Sequence, residues 1–184
     1  MTSQPQIAHV VMQTRRFDAM LDWYASVFGA RVVHGNPAMA FLTFDDEHHR
    51  FAFINLDIVA PGGPGQRGDI GVNHVAWTLP SAASLLSLYR RLKGEDIMPI
   101  WPVHHGLTLS LYYADPDGNR SEFQVEALPP GEAAQFIAGP AFAANPVGVA
   151  FDPDALLARF EAGATEIELL EAPDGPMTFP PPLH

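Results

Sequence analysis

Apolar residues recur along this chain at two different spacings. Phe17, Met20, Leu21, Tyr24, Val27 and Phe28 follow the three-and-four rhythm of one helix face, and Gly29 supplies the stop. Ser81 is suited to cap a second helix, whose face carries Leu85, Leu88, Tyr89 and Leu92 and ends near Gly94. Four shorter runs are β-prone: Met39–Asp45, Phe51–Asp57, Leu107–Tyr113 and Ser121–Ala127. Two-residue alternation in the last pair puts Thr108, Ser110 and Tyr112 on one face, with Leu107, Leu109 and Leu111 on the other. On the outgoing strand Glu122 and Gln124 oppose Ser121, Phe123 and Val125. Between them Asp115-Pro-Asp-Gly-Asn119 predicts a turn, because proline and glycine supply its backbone angles. A hairpin symmetric about that turn pairs Ala114 with Arg120 and Tyr112 with Glu122. A tyrosine and a carboxylate then project from one sheet face.

The pattern repeats. Ile7-Ala8-His9-Val10-Val11-Met12 matches Val72-Asn73-His74-Val75-Ala76-Trp77, with the two histidines 65 residues apart (74 − 9). Each histidine stands third in an apolar run, and each run precedes a helix and then strands. His9 shares a face with Val11 and Gln13, and His74 with Ala76 and Thr78. The chain therefore reads as α+β, with two β-α-β-β-β modules over residues 1–60 and 72–128 and a glycine- and proline-rich linker at 61–71. That linker lacks the strand–loop–helix setting of a phosphate cradle. Residues 129–184 form a C-terminal extension of helical and irregular chain. Its one credible helix has Asp152 as cap, Pro153 in first position, Leu156, Leu157 and Phe160 on one face, and Gly163 as stop. That face must pack on the modules or on another subunit, so a homo-oligomer is expected. The segment from Phe179 onward reads as a loose end.

Charge and composition narrow the chemistry. Ten basic and 21 acidic residues give a net charge of −11, which argues against nucleic acid and against anionic membranes. No apolar run approaches the ~20 residues of a membrane span, and the opening MTSQPQ lacks the character of a signal peptide, so a soluble cytoplasmic protein is expected. Without cysteine, any metal site must draw on histidine, carboxylate or tyrosine. Eight histidines are present, among them the adjacent pairs His48–His49 and His104–His105. A single strand histidine is usually an ordinary packed or surface residue. Histidine at the same position of two repeats, with a carboxylate on a last strand, suits a facial metal set that leaves coordination positions open.

These segments, together with Tyr112-Tyr-Ala-Asp-Pro-Asp-Gly-Asn-Arg-Ser-Glu122-Phe, resemble the vicinal oxygen chelate superfamily over roughly residues 6–128. That superfamily includes glyoxalase I, bleomycin-resistance proteins, methylmalonyl-CoA epimerase and the type I extradiol dioxygenases. The resemblance implies paired βαβββ modules forming a cupped mixed sheet around a metal, with His9, His74 and Glu122 as ligands. Further positions resemble the catalytic half of the extradiol branch. Its acid–base histidine maps to His49, the second of a pair with His48, which places His48 in the pocket as well. Its tyrosine ten residues before the glutamate ligand maps to Tyr112 (122 − 10). An active-site histidine shortly before that tyrosine maps to His104 or His105, and apolar residues near the oxygen site map to Val11 and Phe41. The implied cofactor is Fe(II), with Mn(II) suited to the same ligands, and dioxygen is the implied co-substrate for opening a small aromatic diol.

Three features depart from that branch: a longer spacing from His49 to His74, a shortened stretch around His104–His105, and a C-terminal extension of the chain's own. Two rivals follow from the same residues. A glyoxalase- or epimerase-like lyase or isomerase needs a fourth ligand. The repeat offset carries Glu122 back to Asp57 (122 − 65), whereas aligning Arg50-Phe-Ala52-Phe with Arg120-Ser-Glu122-Phe carries it to Ala52, which binds no metal. A metal-free binding protein would have no use for the paired histidines and the glutamate. Phe41, Phe51, Phe53, Trp77 and Trp101 could line an aromatic guest or simply fill a core.

Overall fold

The computed structural model describes residues 9–46, 49–59, 61–62, 74–145 and 147–181. Contacts divide the chain into two compact units. One comprises residues up to 71 together with Asp115–Asp117, and the other comprises residues 72–114 and 118 onward.

The first unit contains β1 (Val10–Thr14), α1 (Phe17–Phe28), β2 (Arg31–Asn36), β3 (Met39–Thr43), β4 (Phe51–Asn55) and the short α2 (Leu56–Val59). Its sheet runs β1-β4-β3-β2, with β1 parallel to β4 and the other pairs antiparallel. The apolar stripe of α1 buries Met20, Trp23, Tyr24 and Val27. Gly29 ends the helix at φ 65°, a left-handed conformation that costs glycine little. Tyr24 packs edge-on against Phe51 and Phe53, at centroid distances of 4.6 and 4.8 Å. Those two phenylalanines are therefore core on the helix side of β4 rather than lining for a guest. The strand expected over 51–57 stops at Asn55, whose side-chain oxygen accepts from the Asp57 amide at 3.1 Å and turns the chain into α2. All six residues of β2 are exposed, and its pairing with β3 shifts register between Val32 and His34.

The second unit repeats the plan. It has β5 (His74–Thr78), α3 (Ala82–Gly94), β6 (Trp101–His104), β7 (Thr108–Ala114) and β8 (Arg120–Glu126). The sheet order β5-β8-β7-β6 copies that of the first unit, and the extension adds a further strand, β9 (Val149–Ala150), beside β6. Ser81 caps α3 by accepting from the Ser84 amide at 3.1 Å. The hairpin register is the symmetric one, with Ala114 opposite Arg120 and Tyr112 opposite Glu122. Gly118 turns it at φ 80°.

The rest of the extension forms α4 (Pro130–Ile137), α5 (Pro140–Ala144), α6 (Pro153–Glu161) and α7 (Glu166–Leu169). Asp152 caps α6 as expected, and the Tyr89 hydroxyl on α3 donates to Asp154 at 2.8 Å. Of the α6 face, Leu156 is buried, and Leu157 and Phe160 are half-buried. The final segment is also less loose than its composition suggests. Thr178 N donates to Gly148 O at 3.0 Å, and the Arg120 guanidinium donates to Pro181 O.

Candidate metal centre

Register places equivalent residues of the two sheets in equivalent rows. In the first unit a row crosses Val11 on β1, Ala52 on β4, Phe41 on β3 and His34 on β2. In the second unit the row is Ala76 on β5, Glu122 on β8, Tyr112 on β7 and Trp101 on β6. The repeat is therefore aligned by Ala52 with Glu122, not by Asp57. Asp57 is instead engaged by Arg15 at 2.7 Å. One histidine stands two residues before each row: His9 before Val11 and His74 before Ala76. The row is apolar at Val11, Ala52 and Phe41 in one unit, ending on His34, and carries a carboxylate and a phenol in the other.

In the second unit four polar side chains meet. Glu122 is only 4% exposed, and its Oε2 lies 3.2 Å from His74 Nε2. Its Oε1 lies 3.7 Å from His105 Nε2. The Tyr112 hydroxyl is 3.2 Å from His105 Nε2 and also hydrogen-bonds Glu122. Burial pushes the Tyr112 hydroxyl well above its ordinary pKa, and the Glu122 charge and hydrogen bond push it further, so the phenol stays protonated. Trp101 packs on Tyr112 with ring centroids 4.8 Å apart, and on His105 at 5.6 Å. This Trp101 ring backs the polar cluster.

Of the two adjacent histidines, His105 is the one beside Tyr112. His104 is turned into a separate pocket, where its Nδ1 accepts from the Gly106 amide at 3.0 Å. Its Nε2, which must then carry the proton, donates to Leu170 O at 3.0 Å. Successive strand residues face opposite ways, so one member of the pair reaches Tyr112 and the other cannot. Of the pair, the structure thus turns His105 and not His104 toward Tyr112.

In the first unit the His9 and His49 rings lie 4.4 Å apart, and Phe41 stacks on His49 at 4.9 Å. Val11 is half exposed on the face of β1 that also carries His9. His48 lies outside the described residues. Among the described residues, no three His, Asp or Glu side chains form a group that could hold a metal ion. The donor chemistry nonetheless fits a metal. Glu122 is a deeply buried carboxylate with an imidazole nitrogen at close range, and a buried anion calls for a cation or strong donors beside it. Carboxylate and imidazole together suit a divalent first-row metal.

The model of the Glyoxalase/Bleomycin resistance protein/Dioxygenase superfamily matches residues 6–123, and the chain belongs to that superfamily. Within it, the chain is 44% identical over 164 residues to Biphenyl-2,3-diol 1,2-dioxygenase 2 of Rhodococcus globerulus, covering 89% of this chain and 85% of the relative. It is 42% identical over 173 residues to Biphenyl-2,3-diol 1,2-dioxygenase 3 of the same organism, covering 92% and 89%. The crystal structure of Lactoylglutathione lyase from Agrobacterium tumefaciens shares the fold. Its TM-score is 0.51 at 20% identity, over 67% of this chain and 96% of that one.

Proposed function

We propose that this protein is an extradiol ring-cleaving dioxygenase that opens a catechol-type aromatic diol with dioxygen, at an Fe(II) held by His9, His74 and Glu122. The observation that carries this reading is the convergence of His74, Tyr112 and His105 on the buried Glu122 carboxylate. The two Rhodococcus relatives, dioxygenases acting on an aromatic diol by name, support it across most of the chain. Such a metal, when bound, supplies adjacent open positions at which diol oxygens and dioxygen can meet.

The residues around that position divide the remaining work. Tyr112, protonated and backed by Trp101, offers one hydrogen bond to an oxygen on which negative charge develops. His105 holds Tyr112 in place through Nε2. His49, an imidazole stacked on Phe41, is suited to take a proton from the incoming diol and return it later, since histidine titrates near neutral pH. Val11, Ala52 and Phe41 make the first three positions of the first unit's row apolar, and the row ends on His34 of the exposed edge strand β2.

The position in register with Glu122 separates the proposal from its enzymatic rival. A lyase of the glyoxalase type needs a fourth protein donor, and the residue in register with Glu122 is Ala52, while Asp57 pairs with Arg15. Three protein ligands leave room for a chelating diol and dioxygen. The proposal takes the protein as a cytoplasmic homo-oligomer. Among the described residues, no helix is long and apolar enough to cross a membrane.

The test is anaerobic purification with iron, metal analysis, and assay against a panel of catechols for oxygen uptake and a yellow ring-cleavage product. Bound iron with product from at least one catechol is the expected result. Fully iron-loaded protein that consumes no oxygen with any catechol overturns the oxygenase reading in favour of the lyase.

A further inference from the structure

The extension stands outside the repeated modules, yet one stretch of it reaches the back of the Tyr112–His105 pair. Trp101, Val103 and Tyr112 are buried together, and Val147 packs against them. The Val147 carbonyl faces His105 Nδ1 in a short hydrogen bond. A carbonyl only accepts, so Nδ1 must carry the proton. Nε2, on the other edge of the ring, points at the Tyr112 hydroxyl 3.2 Å away. We propose that Asn145, Val147 and Gly148 form a positioning strap, whose Val147 carbonyl holds the proton on His105 Nδ1 and fixes the ring so that Nε2 faces the Tyr112 hydroxyl.

The strap is built for close approach. Asn145 Oδ1 accepts from the Val147 amide at 3.2 Å and from the Gly148 amide at 2.7 Å, and its Nδ2 donates to Gly148 O at 3.2 Å. Three bonds from one side chain thus hold the backbone on both sides of the Val147 carbonyl. Gly148 adopts φ +114°. A Cβ there would collide with the His104 carbonyl oxygen and come within 2.9 Å of His105 Cα. Glycine is required both for the backbone angle and for the contact. Immediately beyond, Val149 pairs with His104 and locks the strap onto the β6 edge.

The ring orientation matters because His105 Nε2 has two neighbours, the Tyr112 oxygen at 3.2 Å and Glu122 Oε1 at 3.7 Å. With its Nδ1 edge pinned to the strap, the ring keeps Nε2 beside the Tyr112 oxygen and holds that oxygen in place. The catalytic consequence rests on the dioxygenase reading, whereas the hold on His105 does not.

Full-length N145A, N145D and G148A proteins test the strap by two independent readouts. The first is the ¹⁵N spectrum of the His105 ring in metal-free protein, assigned by its loss in H105Q. The second is the split between kcat and KM for catechol cleavage by the iron-loaded enzyme. The wild type is expected to show a proton on Nδ1, and N145A a mixture of protonated and bare Nδ1. In N145A kcat should fall on the order of tenfold with KM changed less than about twofold. N145D, which keeps the accepting oxygen, should restore the Nδ1 proton and most of kcat, while G148A should resemble N145A. A bare Nδ1 in the wild type overturns the proposal whether or not any variant folds. So does N145A with an unchanged Nδ1 signal, or with unchanged kcat in an active enzyme. A changed Nδ1 signal in a chain that cleaves no catechol supports the strap and overturns the dioxygenase reading.

Discussion

Tyr112 and Glu122 face each other across one rung of a hairpin, and their roles can be separated by single-atom changes. Tyr112→Phe removes the proton-bearing oxygen but keeps the ring packed on Trp101. Iron content is expected to stay at the wild-type level while kcat falls on the order of a hundredfold, the usual weight of a positioned proton donor. Loss of iron from that variant would make Tyr112 a ligand. Glu122→Gln keeps the shape of the side chain and removes its charge. Metal affinity, followed by titration of the metal-free protein, should weaken at least on the order of tenfold. Tyr112 and Glu122 were both legible in the sequence, because alternation and a symmetric turn set their parity and register. The choice between His104 and His105 was not legible from spacing alone, since a shift of one residue in β6 exchanges their faces.

At the scale of elements, the extension depends on α6 being well formed. Asp152 Oδ1 accepts from the amides of Asp154 at 2.9 Å and Ala155 at 3.3 Å. Asp152→Ala leaves those donors without their cap and should cost about 1 kcal/mol, read as a lower urea midpoint at unchanged slope. An unchanged midpoint would mean the cap contributes nothing to folding. Helices α1, α3 and α6 were readable because each buries one stripe and carries its own start or stop residues. Strands β2 and β9 were not. Every residue of β2 is exposed, so no alternation marks it, and β9 is two residues whose only cue is a partner strand more than forty positions earlier.

Over the whole molecule, buried His104 ties stability to pH. Burial lowers its pKa, the Leu170 bond partly opposes that, and His105 lowers it further. The folded state therefore takes up the proton less readily than the unfolded chain, whose imidazole titrates near 6.5. Its contribution is complete above about pH 6.5 and is lost as pH falls below that value toward the folded pKa. The urea midpoint should drop between about pH 7 and pH 5, and His104→Gln should flatten that part of the curve. An identical slope in the variant would place the titration elsewhere.

The order of residues along the chain settled whatever depends on near neighbours: two amphipathic helices with their glycine stops, the hairpin register, the duplicated histidine and the carboxylate ten positions after a tyrosine. Periodicity and turn chemistry are local, and they survive without a folded context. Three things needed the fold: the alignment of Ala52 rather than Asp57 with Glu122, the turning of His105 and not His104 toward Tyr112, and the reach of Val147 to His105. Each depends on strand pairings between distant segments, whose register is a property of packed sheets and leaves no mark on the sequence of either partner.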